Sequence, residues 1–395
     1  MAVSLSRRGF MALGCSAAAS PLLTPVTLAA APWDQRLVVI ILRGAMDGVD
    51  VVQPYGDRAL AAARPTLLTG EAGGAIDLDG FYALHPALAD LMPMWRAGEL
   101  GFAHAVSTPY RDKRSHFDGQ DLLEAGTGFE EGTHTIRDGW LNRLLQVTPD
   151  LAAETAYSVG QGEMLILSGQ AQAASWVPDT NLALSPQTRD LMRLVAASDP
   201  LFADALGDAV QIVESLEEEE DTAMMAGGKR APGHQKLAQF TASRLRGATR
   251  IAAFSLGGWD THNRQIGRIK PPLQALSDVL LTLKAELGPI WGQTAVVAMT
   301  EFGRTARENG SGGTDHGTGG AMVMAGGALR GGKVYGDWPG LGERDLYKGR
   351  DLMPTADVRA YAASTMRGMF GLPRDVLEQV VFPGLDMGGV PDLTL

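Results

Sequence analysis

The chain predicts an α/β fold, a doubly wound and largely parallel sheet with helices on both faces, on two observations. Its short apolar runs lack the polar alternation of half-exposed strands, as expected of strands buried on both sides. Amphipathic helical patterns separate these runs, which is the order that lays strands side by side in one direction. Residues 37–42, Leu-Val-Val-Ile-Ile-Leu, form the first such strand, ended by Arg43-Gly44. Further strands are expected at 102–106, 164–167, 251–256, 295–299 and 321–324. The clearest helix spans 271–287, where Leu273, Leu276, Leu280, Leu283 and Leu287 recur at three- and four-residue steps. A second begins after Ser115 and runs to about residue 125, closed by Gly126-Thr127-Gly128.

The first thirty residues have a different character. Arg7-Arg8-Gly9-Phe10-Met11 precedes a modest apolar stretch and a small-residue run ending Leu28-Ala29-Ala30-Ala31. That pattern predicts a twin-arginine (Tat) export signal over residues 1–30, with the Tat translocase as a partner and a periplasmic or secreted destination. Ser16, Ser20 and Pro21 interrupt the apolar stretch, so a spanning helix is not expected there. No later apolar run reaches spanning length, and a mature chain without a membrane span is expected. The single cysteine, Cys15, lies in the signal, so a mature chain has no disulfide to stabilise it. Residues 31–395 are long enough for one large α/β domain. An acidic run, Glu217 to Asp221, marks an exposed, mobile connector near 214–232. A net charge of −11 argues against nucleic acid as a partner.

In open parallel sheets ligands bind beyond the carboxyl ends of the strands, so the residues after each strand are the candidates for chemistry. The first strand is followed by Arg43-Gly44-Ala45-Met46-Asp47-Gly48, and the strand at 251–256 by Gly257-Gly258-Trp259-Asp260-Thr261-His262. The strand at 295–299 leads into Thr300-Glu301-Phe302-Gly303-Arg304. Before the strand at 321 lies "GGTDHGTGG", residues 312–320, with Asp315 and His316 between five glycines. Carboxylates and imidazoles delivered by glycine-rich turns to one sheet edge describe a metal site. Without thiolate, that donor set suits zinc or manganese, magnesium or calcium rather than a sulfur-bound ion. Asp47, Asp260, His262, Glu301, Asp315 and His316 are the candidate ligands. Ser115 stands at a helix start, where a serine serves as an N-cap or as a nucleophile favoured by the helix terminus. Arg43, Arg304 and His116 are candidates for holding an anionic substrate.

Together "SRRGFM", "LRGAMDGVD", "RSHFDGQDLLEAGTG", "GGWDTH", "TEFGRT" and "DHGTGGAMVMAGG" resemble the family labelled domain of unknown function 1501, whose members are Tat-exported bacterial proteins. More distantly, their order resembles the alkaline phosphatase, sulfatase and phosphoglycerate mutase superfamily. That resemblance implies an alkaline-phosphatase-like fold and a metal-dependent hydrolase of phosphate or sulfate esters, with Ser115 attacking an anionic small-molecule ester and one or two ions held. It implies that Asp47 binds the first metal, Asp260 and His262 share an ion, and His316 returns to the first. One departure stands out. Phe302 falls where relatives carry a histidine ligand, and Glu301 is longer than the usual aspartate. One metal position is then short of a ligand, with His116 and Asp118 available to fill it. The alternative is a catalytically silent exported protein that binds an anion or a partner on the same fold.

The other conspicuous residues have plainer readings. His85 and His104 lie in apolar surroundings and are expected in the core, whereas His134 and His234 lie in polar stretches and are expected in solvent. Trp140 and Trp259 are expected to pack. Glu301 either binds metal or pairs with Arg304, and Asp315 either ligates or orients His316.

Overall fold

The computed structural model describes residues 33–67, 69–128, 138–148, 155–160, 164–176 and 232–395. The twin-arginine segment, Cys15, His134 and the acidic connector near 214–232 lie outside the described residues. Residues Ala31–Leu395 belong to one compact unit.

The chain's most apolar run, Arg36–Leu42 (β1), lies inside the main sheet and is buried along its whole length. Its side chains divide by parity: Val38, Ile40 and Leu42 enter one hydrophobic cluster, and Leu37, Val39 and Ile41 enter the other. Both faces are therefore core, which is why this strand carries no polar alternation. Val52–Gln53 (β2), Ile76–Asp77 (β3) and Ala83–Leu84 (β4) make a small separate sheet in the order β2-β4-β3. The main sheet is completed by Leu100–Ser107 (β5), Ala156–Val159 (β6), Ala174–Trp176 (β7), Ile251–Leu256 (β8), Thr294–Met299 (β9), Gly320–Ala325 (β10), Val334–Tyr335 (β11) and Ala356–Asp357 (β12). Its order is β11-β5-β10-β9-β1-β8-β6-β7, with β12 also paired to β5. All pairings are parallel except those of β10, which runs antiparallel to both β5 and β9.

Helices cover both faces. On one, the helices Gly233–Arg246 and Lys270–Leu287 bury Phe240, Leu245, Leu273, Leu276, Leu280 and Leu283. On the other, Trp140–Gln146 and Val358–Phe370 bury Leu141, Leu144, Tyr361 and Met366. Pro271 and Pro272 are tolerated in the first turn of Lys270–Leu287 because the amides there have no intrahelical acceptor. Among the described residues no helix is long and apolar enough to cross a membrane.

One expected strand is corrected. Residues 164–167 do not join the sheet: Leu165–Leu167 is a 3-10 turn with Ile166 and Leu167 buried. Met164, Ile166 and Leu167 fill the core as a plug while Leu165 is half-buried, and the neighbouring strands, β6 and β7, are built from more polar sequence.

The direction of β10 decides where the chemistry gathers. The chain segments after β1, β5, β8 and β9 emerge at the carboxyl edge of the parallel strands. Because β10 is reversed, the segment before it, residues 312–319, lies at that same edge.

Candidate metal centre

Five chain segments meet at this edge, and tight backbone contacts fix their relation. Gly44, with φ of +119°, packs so closely on the β8 turn that a Cβ would lie 2.8 Å from the Asp260 amide. The Gly44 N–H in turn donates to Glu301 Oε1 at 2.9 Å, and the Met46 N–H to Thr300 Oγ1 at 3.0 Å. A Cβ on Gly317 would sit 2.3 Å from the Arg304 carbonyl. Gly313 and Gly317, on either side of Asp315 and His316, thus serve close approach of two backbones.

The segment after β5 brings in the helix His116–Ala125. Ser115 caps it, its Oγ accepting from the Asp118 N–H at 3.4 Å, while its own N–H donates to the Tyr110 hydroxyl at 2.7 Å. Gly119 lets this helix lie against the β9 turn, since a Cβ there would touch the Phe302 ring at 3.0 Å and Glu301 at 3.3 Å.

Three imidazoles converge on one carboxylate. Asp260 Oδ1 is 3.0 Å from His262 Nε2, 3.2 Å from His316 Nε2 and 3.6 Å from His116 Nε2. The His262 and His316 Nε2 atoms are 2.9 Å apart. His116, Asp260 and His316 each offer a ligand atom within 4.8 Å of one another. Each ring is held from its other nitrogen. His116 Nδ1 lies 2.8 Å from Glu301 Oε1, His262 Nδ1 3.3 Å from Asp315 Oδ1, and His316 Nδ1 3.1 Å from the Arg114 carbonyl. Two carboxylates and a carbonyl can only accept, so each Nδ1 has a partner to donate to, which would free the Nε2 lone pair for a cation placed between the rings. His116 Nε2 is buried without a hydrogen-bond partner.

Such a centre, three Nε2 atoms and a carboxylate oxygen facing one another, fits a divalent cation. The spacings are those of neighbouring ligands around one zinc-sized ion, and an Nδ1 tied to carboxylate or carbonyl is the usual support of a metal-ligating histidine. Three nitrogens and one oxygen suit zinc or manganese.

Burial works to raise the Asp260 carboxyl, but the Arg304 guanidinium at 2.6 Å, with His316 and His262, brings it down to about 2. Burial acts the same way on Glu301, and bonds from His116, Gln120 and Thr300 overcome it and hold the group below its ordinary value. His116 is raised, first by its bond to Glu301. His316 is lowered, by burial and then by Arg304. The centre remains open, with the Asp260 side chain 48% exposed.

Of the expected ligands, Asp260, His262 and His316 come together, and His116, expected as a substrate contact or a replacement ligand, joins them. Asp118 is exposed and lies outside the group. Asp315 stands behind His262 and accepts from Asn309 Nδ2 at 2.9 Å, and Glu301 stands behind His116. Asp47 departs from expectation. It is buried, and Arg64 binds both its oxygens, at 2.7 and 3.0 Å, while Gln265 Nε2 donates to it at 2.6 Å. A guanidinium built into the chain thus stands against the carboxylate for which the resemblance implies a metal. Among the described residues, His116, Asp260 and His316 form the one group of such side chains spaced so that it could hold an ion.

The expected anion holders are also corrected. Arg304 is buried and spends its guanidinium on Asp260 and the carbonyls of Gly44, Ala45, Trp259 and Thr314, so the Glu301–Arg304 pair does not form. Arg43 bonds Gln120 and Glu124, tying the helix to the sheet edge. Arg114 was missed: its side chain is 42% exposed and 3.9 Å from Asp351, and its carbonyl supports His316. Its place directly before Ser115 was the available signal. Phe302 fills the histidine position by stacking on His116, with ring centres 5.3 Å apart.

The remaining histidines and tryptophans divide. His104 is buried, its Nε2 donating to the Val52 carbonyl at 2.9 Å, and His85 caps a 3-10 turn by accepting from the Ala87 N–H. Trp140 and Trp259 are packed in the core. His234 is half-buried against Asp278 at 3.0 Å rather than free in solvent.

Comparison with known proteins places this geometry in context. A protein of the alkaline phosphatase superfamily from Vibrio parahaemolyticus matches over 84% of this chain and 71% of its own, with 11% identity and a TM-score of 0.34. The lipoteichoic acid synthase LtaP from Listeria monocytogenes matches over 69% of this chain and 57% of its own, with 8% identity and a TM-score of 0.33. Scores this low transfer no activity from either protein to this chain. No curated protein matches the sequence. The family model described as "Protein of unknown function (DUF1501)" matches residues 101–381, well over half of the sequence and four of the five segments that build the centre. The chain belongs to the DUF1501 family.

Proposed function

We propose that the protein is an exported, metal-dependent hydrolase of phosphate or sulfate esters, with His116, Asp260, His262 and His316 holding one zinc or manganese ion. The observation that carries the reading is the set of three inward-facing Nε2 atoms around Asp260 Oδ1, each backed by an acceptor at Nδ1. When bound, such an ion supplies Lewis-acid polarisation of the ester. The chain supplies the rest. Glu301 and Asp315 fix the rings of His116 and His262, and Arg304 keeps Asp260 ionised. Ser115 is the nucleophile in this reading. Its Oγ, capped by the Asp118 N–H, would attack the phosphorus or sulfur of the ester, the ester C–O oxygen leaving as the alcohol with the hydroxyl's proton, and water would then release phosphate or sulfate from the serine. Arg114 at the open rim meets the anionic group of the ester. The twin-arginine segment supports export in a folded state, with metal taken up beforehand.

The test begins with protein recovered from the extracytoplasmic fraction of expressing cells. Elemental analysis is expected to find about one equivalent of zinc or manganese per chain, and near none in His116→Ala or His316→Ala. Absence from that fraction would set aside export alone. A metal-free protein whose melting temperature is unmoved by either ion would defeat the metal reading. Hydrolysis of aryl phosphate and aryl sulfate esters is expected from the loaded protein. Ser115→Ala retaining full activity would remove the serine step, and a loaded but inert protein would favour the silent anion-binding alternative.

A further inference from the structure

The geometry points to Gln265 as the positioning residue that sets the spacing of the metal ligands, an inference that rests on the metal reading above. Its amide is buried and uses every hydrogen-bonding valence it has. Oε1 accepts from Thr261 Oγ1 at 3.1 Å and from Thr314 Oγ1 at 2.8 Å. Nε2 donates to Asp47 Oδ2 at 2.6 Å and to Asp50 Oδ2 at 2.7 Å.

Those partners occupy three different segments of the sheet edge. Thr261 lies between the ligands Asp260 and His262. Thr314 lies two residues before the ligand His316. Asp47 and Asp50 belong to the turn after β1, where Arg64 anchors Asp47. One planar amide therefore ties the β8 turn to the segment before β10 and fastens both to a buried ion pair. The backbone repeats the tie: Gln265 N–H donates to the Gly312 carbonyl at 2.8 Å, and Thr314 N–H to the Thr261 carbonyl at 3.3 Å. Arg264, with φ of +48°, turns the chain so that Gln265 points inward, a conformation that a non-glycine residue holds only when its surroundings fix it. The gap this clamp spans is the one across which His262 Nε2 and His316 Nε2 stand 2.9 Å apart. Gln265 touches no ligand atom and acts through the threonines on either side.

The experiment measures zinc affinity by competition with a chromophoric chelator, and ligand geometry by the visible spectrum of the cobalt(II)-substituted protein. Wild type and Gln265→Ala are compared at a temperature where both are folded. The variant is expected to bind zinc about 10- to 100-fold more weakly, the range for losing a group that orients a ligand, and to show an altered cobalt spectrum. Gln265→Glu keeps an acceptor for both threonines but sets a carboxylate oxygen against Asp47 and Asp50. It is expected to be as poor as the alanine variant, and adding Asp50→Asn, which supplies a donor to that oxygen, is expected to restore most of the affinity. A folded Gln265→Ala with wild-type affinity and spectrum overturns the inference. If that variant does not fold, Thr261→Val and Thr314→Val each remove one hydroxyl donor while keeping side-chain shape, and unchanged affinity in both overturns it equally. Wild-type protein without zinc affinity defeats the metal reading itself, and the clamp with it, a result distinct from loss in the variants alone.

Discussion

Arg64 and Asp47 form a pair whose side chains are almost wholly removed from solvent, with the remaining guanidinium donors on the carbonyls of Thr305 and Ala306. Burying two charges is costly, and the fork geometry that matches guanidinium to carboxylate is what offsets it. Asp47 shows the balance. Burial pushes its carboxyl up, yet Arg64, with Gln265 and Arg304, leaves it below its ordinary value. Removing the cation alone strands an ionised carboxylate in the interior. Arg64→Ala is therefore expected to cost about 3–5 kcal/mol of stability, measured as the shift in urea unfolding at neutral pH. Arg64→Lys is expected to recover only part of this, because an ammonium cannot engage both oxygens in plane. A loss below about 1 kcal/mol for the alanine variant would be that of a solvent-exposed pair and would contradict the burial.

At the scale of the element, the segment before β10 separates glycines that touch from glycines that do not. Gly317 backs onto the Arg304 carbonyl with no room for a Cβ, whereas Gly310 has open space around its Cβ position. Gly317→Ala must part the two segments that carry His316 and Arg304, and it is expected to cost about 1–3 kcal/mol and to lower metal content. Gly310→Ala is expected to leave both unchanged. Thermal unfolding and elemental analysis of the two variants decide this, and equal behaviour would show that the segments are not held at this spacing. The plan of the edge was legible in the sequence because each strand carries its own chemistry at its end: Asp260 and His262 after β8, Glu301 after β9. His316 was placed there by its motif, and the reversal of β10 supplies the physical reason. What was not legible depends on contacts between distant segments. Nothing near Arg64 marks it as the partner of Asp47, and Gln265 reads locally as one polar residue in a turn. The run at 164–167 misled because four apolar residues in a row satisfy a strand and a buried 3-10 turn equally.

For the whole molecule, three buried groups that do not face the ion site contribute to the pH dependence of stability, and they act in opposite directions. Burial lowers His104 to about 4, and burial with the nearby Lys270 lowers His85 to about 4. Both are neutral when folded, so the stability they contribute is present above about 6.5, the ordinary value for histidine, and is lost as pH falls toward 4. Asp50 is raised to about 6, by burial and then by Asp47 beside it. Its folded form keeps a proton that the unfolded chain releases, so its contribution is present at low pH and is lost as pH rises through about 6. Each displacement is worth on the order of 3 kcal/mol. Two histidines against one aspartate leave a net loss between pH 7.5 and 4.5, partly offset by Asp50. Asp50→Asn removes the offset. The variant is expected to be more stable than wild type at pH 7.5 and to lose stability more steeply on acidification, the two curves meeting as pH falls toward 4. Urea unfolding midpoints across this range test the assignment, and parallel curves for the two proteins would show that Asp50 is ionised throughout. In that case Gln265 and Gln53, which donate to its two oxygens, hold the charge more firmly than its burial opposes it.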